Sequence, residues 1–159
     1  MGLFSFFKKK DNQEIINKMT AFSTQALGAA ISGIEENETF LPFGAVLTED
    51  KTLHLVVYHD PSAESIDPRE HAMNVQKIIA KRYEEPDCEL CHMAFDGISH
   101  LPSGDIDSIN VRVSHKPTNT HKLFSYTYKV VDGKVEIQNR DHPITVSYTH
   151  LTLPTICSV

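Results

Sequence analysis

The stretch from Ser108 to Ile137, SINVRVSHKPTNTHKLFSYTYKVVDGKVEI, constrains the fold more than any other part of the chain. Ile109, Val111 and Val113 alternate with Asn110, Arg112 and Ser114. Successive side chains on a strand point to opposite faces, so a period of two predicts a strand with one buried face. Phe124, Tyr126, Tyr128 and Val130 line one face of a second strand, with Ser125, Thr127 and Lys129 opposite. The residues K-P-T-N-T between them read as a turn. Asp132-Gly133 is a pair suited to a tight hairpin turn, whose central residues take positive φ. Val135 and Ile137 continue beyond it. Strands joined by such short turns run antiparallel.

Upstream the period changes. Ile15, Met19, Phe22, Ala26, Ala30 and Ile34 recur at steps of three and four, one face of an amphipathic helix over 11–35. Asp11 and Glu14 stand in capping-box spacing before it. Gly28 and Gly33 weaken the helix but permit close packing on a sheet. Phe43–Leu47 and Leu53–Tyr58 are β-prone runs separated by the polar loop T-E-D-K, with Pro42 suited to a strand's first residue and Gly44 to a bulge or close approach. In SIDPREHAMNVQKIIAKRYEE, Asp67 caps a second helix, Pro68 takes its first position and Glu70 completes a capping box. Val75, Ile78, Ile79 and Tyr83 form its buried stripe, and Pro86 ends it. CELCHMAF is a further candidate strand. The order α-β-β-α-β-β-β, with a short last strand, predicts an α+β domain. Its single, mostly antiparallel sheet of five to six strands has helices packed on it.

This element order is similar to that of roadblock and profilin-like domains. That likeness implies a sheet between helices and dimerisation through a sheet edge or a helix pair. The stretch FLPFGAVL, then a helix, then a D-x-I-x-V strand (Asp107, Ile109, Val111) also resembles a group of small bacterial α+β proteins over most of residues 38–130. The second resemblance implies no activity.

The chain ends TVSYTHLTLPTICSV. Val146 to Thr155 is what GTC TCT TAT ACA CAT CTG ACG CTG CCG ACG encodes, a string that resembles transposon-end adapter DNA from sequencing libraries. The adapter's preceding bases CT fit Thr145 read as ACT. A variable index accounts for Ile156, Cys157 and Ser158, and the next fixed bases, GTG TAG, give Val159 and a stop. Residues 145–159 are therefore expected to be a non-native tail, with 11–144 the domain, 1–10 a flexible leader and other residues natural after Ile144. The tail holds no charged side chain, so the net charge of −6 belongs to the domain. An acidic chain without a basic patch is a poor nucleic-acid binder.

Setting Cys157 aside leaves Cys88 and Cys91, expected as reduced thiols in a cytoplasmic protein. Leu3 to Phe7 is too short to cross a bilayer, and Phe6 stands where a myristoylation motif wants Ser or Thr. Phe4, Phe6 and Phe7 are expected to tuck onto the domain, leaving at most weak membrane-surface contact through residues 1–10.

Cys88-Glu89-Leu90-Cys91-His92 is the sharpest match to chemistry. C-x-x-C-H is the c-type haem attachment pattern, yet that attachment takes place outside the cytosol. Cys88, Cys91 and His92 also supply three zinc-ligand types, with His71 or His100 as a fourth, but a second paired motif is missing. A redox pair belongs at a helix N-terminus, whereas this segment reads as a strand with Cys88 and Cys91 on opposite faces. His54, His59, His115 and His121 flank strands and are expected at the surface, as are most of the other histidines. Asp96, Asp105 and Asp107 surround a loop, DGISHLPSGDID, better explained by Asx-turns near Gly97 and Gly104 than by a metal site. No G-x-S-x-G, H-E-x-x-H or P-loop occurs. The expected function is a non-enzymatic interaction module that forms a homodimer or binds a protein partner, with no cofactor. The alternative is a small metal-binding protein or enzyme built on Cys88, Cys91 and His92.

Overall fold

The computed structural model describes residues 3–59, 62, 65 and 67–148, with side chains from Lys8 onward. Two helices and seven strands occur among them: α1 Leu3–Asn37, β1 Phe43–Thr48, β2 Leu53–Val56, α2 Pro68–Tyr83, β3 Cys88–Leu101, β4 Gly104–His115, β5 Thr120–Val131, β6 Lys134–Ile137 and β7 Ile144–Tyr148. The strands form one antiparallel sheet in the order β2-β1-β3-β4-β5-β6, and β7 pairs with β5 beside β6. The expected α+β order holds.

Each face of the sheet carries one helix. On one face the stripe Met19, Phe22, Ala26, Ala30 and Ile34 of α1 packs with Ala94, Ile109, Val111, Val113, Phe124 and Tyr126. These sheet residues are the alternating apolar set, so the period of two in β4 and β5 is what builds this layer. On the other face Ala72, Val75, Ile79 and Tyr83 of α2 pack with Val46, Val56, Cys91 and Met93. Asp67 caps α2 by accepting from the Arg69 N–H at 2.9 Å. Ile78, expected in the buried stripe, is 37% exposed, and Gln76 lies inward instead.

Helix α1 begins at Leu3, so Asp11 and Glu14 lie inside it and do not cap it. Lys8 to Glu14 are exposed, and inward packing starts at Ile15. The side chains of Phe4, Phe6 and Phe7 lie outside the described set. Among the described residues no helix is long and apolar enough to cross a membrane.

The DGISHLPSGDID segment is not a loop. β3 continues through Asp96 and Gly97 to Leu101, and β4 starts at Gly104, so a two-residue turn at Pro102 and Ser103 joins a long hairpin. Gly97 suits the strand because a Cβ there would lie 2.7 Å from Asn110 Nδ2. At the later hairpin, Asp132 and Gly133 take φ of 52° and 75°, as the sequence predicts.

Candidate functional site

The C-x-x-C-H segment forms the first half of β3. Thr48 pairs with Cys88 but Leu47 pairs with Leu90, so the register shifts at Glu89. That bulge turns Cys88 back onto the α2 face, where it joins Cys91 in one apolar cluster. The expectation that the two cysteines face opposite ways is therefore corrected. His92, next along the strand, points the other way, against Phe22 and Phe43 of the α1 layer. The three candidate ligands do not converge. His71 is used elsewhere, its Nε2 bonding to Pro42 O at 2.8 Å, and the His100 Nδ1 lies 2.7 Å from Asp105 Oδ1 on an exposed rim. No group of three or more His, Cys, Asp or Glu side chains among the described residues is arranged to hold a metal.

Burial also silences the thiols. It pushes Cys91 up to about 12 and raises Cys88, so both stay protonated near neutral pH. A protonated, buried thiol is neither nucleophile nor ready metal ligand. Both cysteines are free.

Most histidines are expected at the surface, but His71, His92, His115 and His121 are buried. Three of these find partners in the layers they join. His121 Nε2 donates to Asn119 Oδ1 at 3.0 Å, which leaves Nδ1 to accept from Ser114 Oγ at 2.7 Å. Tyr83 on α2 donates to the same Asn119 oxygen at 2.8 Å. Ser114, His121 and Asn119 thus form a hydroxyl–imidazole–amide series, the residue types of a nucleophile with its base and orienter. Ser114 is 1% exposed, however, and lies beneath the sheet surface, so the series holds the β4–β5 hairpin together.

Where β1 starts, at Phe43, β3 loses its outer neighbour, and residues 95–101 pair only with β4. A cavity of about 330 Å³ opens there, lined by Phe40, Pro42, Arg69, Phe95, Asp96 and Asp107 among others. Burial raises the Asp96 carboxyl above its usual range, opposed by bonds from the Gly97 N–H and the Tyr128 hydroxyl.

The outermost strand differs from the rest of the sheet. Leu53, Leu55 and Val57 share one face and are 47%, 74% and 69% exposed. Leu53 and Leu55 stand opposite Leu47 and Ala45 of β1, on the face that α1 covers farther in. A groove of about 370 Å³ separates β2 from α1, with Ala21, Phe22, Leu47, Leu53 and Leu90 on its walls. Lys18, Lys51 and Glu89 form its polar rim. Glu89 accepts from Lys51 at 2.5 Å and pairs with Lys18 at 3.5 Å. Burial works against the Glu89 charge, but these two lysines hold its carboxyl below the usual range. The sequence marks Leu53–Tyr58 as a β-prone apolar run but does not say which of its residues are exposed. The exposure of Leu53, Leu55 and Val57 follows from β2 lying at the sheet edge, beyond the reach of α1.

No family model, curated protein or solved structure matches the chain.

Proposed function

We propose that the protein is a protein-interaction module without catalytic activity, and that its partner at the β2 edge is a second copy of the chain. The observation that carries this is the exposed pair Leu53 and Leu55 on the edge strand β2, with exposed Val57 one residue beyond its end. An edge offers a row of free N–H and C=O groups, and monomers normally blunt such edges with charge or proline. Leu53 to Val57 contains neither Pro, Lys, Asp nor Glu.

Self-association suits this edge because it is compatible with a two-fold axis. An axis perpendicular to the sheet keeps each face on its own side, so odd positions of one β2 meet odd positions of the other. In the register centred on Leu55, Leu53 of each copy faces Val57 of its mate. Each exposed apolar side chain then gains an apolar cross-strand neighbour, and the sheet runs unbroken through both copies. The two reduced, buried thiols fit a cytoplasmic setting.

Sedimentation equilibrium tests the proposal. The expected result is a reversible dimer for the unaltered chain and a monomer with unchanged circular dichroism for Leu55→Lys. A monomer at all concentrations, or a dimer untouched by Leu55→Lys, overturns it.

A further inference from the structure

The α2-side face of β4 and β5 carries a buried cation with no ion-pair partner among the described residues. Arg112, in the middle of β4, is 7% exposed. Its Nη1 donates to Gln76 Oε1 at 3.4 Å and its Nε to the Tyr148 hydroxyl at 3.4 Å. The Tyr148 ring lies 4.9 Å from Cζ. Both hydrogen bonds are long and both acceptors are neutral, whereas a guanidinium presents five N–H donors in a fixed fork. Among the described residues no Asp or Glu forms an ion pair with Arg112. A buried charge is ordinarily paired, because water no longer solvates it.

Uncharged polar side chains flank Arg112 along β4, while Met93 and Leu123 stand opposite it on β3 and β5. Asn110 and Ser114 flank Arg112 on the same face of β4, and Ser125 and His121 stand opposite those two on β5. Asn110 accepts from Ser125 at 2.7 Å, and Gln76 reaches in from α2. The acids Asp96 of β3 and Asp107 of β4 sit with Tyr128 and Ile109 in the strand alternation, on the opposite face. Tyr148, which lies in the segment expected to be adapter-derived, covers the guanidinium and stacks on His121, with ring centroids 5.3 Å apart, so its hydroxyl is a weak acceptor at a position an oxyanion can take.

We propose that Arg112 anchors a binding site for an oxyanion, a carboxylate or a phosphate, received by the guanidinium fork and bordered by Gln76 and Asn110. Planar, bidentate acceptance is the geometry in which arginine exceeds lysine. The site is independent of the β2 edge, which lies across the sheet.

The test is a titration of the full chain with sodium phosphate and, separately, sodium acetate, each against sodium chloride at equal ionic strength. The Arg112 Nε–H resonance is followed by NMR and assigned by its loss in Arg112→Lys. A saturable shift with phosphate alone identifies a phosphoryl ligand, and one with acetate identifies a carboxylate. Backbone amides of β4 are expected to report the same saturation, lost in Arg112→Met and weakened about tenfold in Arg112→Lys, which keeps charge but loses the fork. Should Arg112→Met fail to fold, the lysine variant and the unaltered chain decide. Responses that match chloride, or saturation that persists at full strength in the variants, overturn the proposal.

Discussion

The His92 ring lies 4.6 Å from that of Phe22, and its buried Nδ1 meets no hydrogen-bonding partner among the described residues. Burial lowers its pKa from the ordinary 6.5 to about 4. In the folded chain His92 is therefore a neutral ring used as an apolar one, with one polar atom left unpaired.

Acid should find this residue first. A depressed folded-state pKa means that the unfolded chain binds the proton more readily. The stability is whole above pH 6.5 and falls as the pH drops toward 4, by on the order of 3 kcal/mol from this group. His115, also lowered chiefly by burial, acts in the same direction. His92→Leu removes the titrating ring and the orphaned nitrogen. Urea unfolding at pH 7 and pH 4.5 should show a smaller loss of stability in the variant than in the unaltered chain. Equal losses would assign the acid sensitivity elsewhere.

Helix α1 is tied to the sheet by one buried polar contact, Ser23 Oγ to Tyr126 Oη at 2.6 Å. Ser23 has a single hydroxyl hydrogen and spends it on Thr20 O at 2.7 Å, so Tyr126 is the donor. Tyr126→Phe should cost about 1–2 kcal/mol by removing the donor while the ring stays packed. Ser23→Ala should cost a similar amount, and the double variant less than the sum of the two. Denaturant midpoints of the four proteins measure the coupling; full additivity would show that the contact contributes nothing.

Two glycines separate backbone need from packing need. A Cβ on Gly44 would lie 2.4 Å from Ile79 Cδ1 and 2.5 Å from the His92 carbonyl oxygen, the latter fixed in the β1–β3 ladder. Gly44→Ala should therefore destabilise by about 1–3 kcal/mol, the usual cost of overpacking a core. A Cβ on Gly28, inside α1, would meet nothing within 4 Å. Gly28→Ala should stabilise by about 0.5–1 kcal/mol, since alanine is the better helix former. Thermal melts of the two variants should shift in opposite directions.

Much of the fold is written in local pattern. Asp67 with Pro68, the Asp132-Gly133 turn and the odd-numbered apolar residues of β4 all act through their own neighbours, so sequence alone reveals them. What escapes is set by distant partners. The bulge that brings Cys88 and Cys91 together arises from the pairing of β3 with β1, far away in the chain. Gly97 reads as a loop glycine until Asn110 is seen beside it. Arg112 sits in the polar half of a clean alternation, which sequence logic assigns to solvent. The alternation separates the two faces correctly, but only the three-dimensional structure shows Arg112 to be buried. The exposed row on β2 was visible as an apolar strand, while its edge position was not.

The reading of residues 145–159 as adapter-derived makes a demand on stability. β7 lies within that boundary except for Ile144, and it pairs with β5 through residues 121–125. Its inward contacts are sparse: Ile144 and Val146 are exposed, and neither belongs to the core clusters on either face. The main packing of α1 and α2 is on strands β1 to β6. A chain ending at Ile144 should therefore keep its far-UV circular dichroism and a cooperative thermal transition. It loses the β5–β7 ladder and the Tyr148 ring over Arg112, and is expected to lose no more than about 2 kcal/mol, the scale of a few partly exposed contacts. The Arg112 fork becomes more accessible in the shortened chain, so any phosphate or acetate response should strengthen. A shortened chain that fails to fold would show that a strand at the β7 position is integral to the sheet.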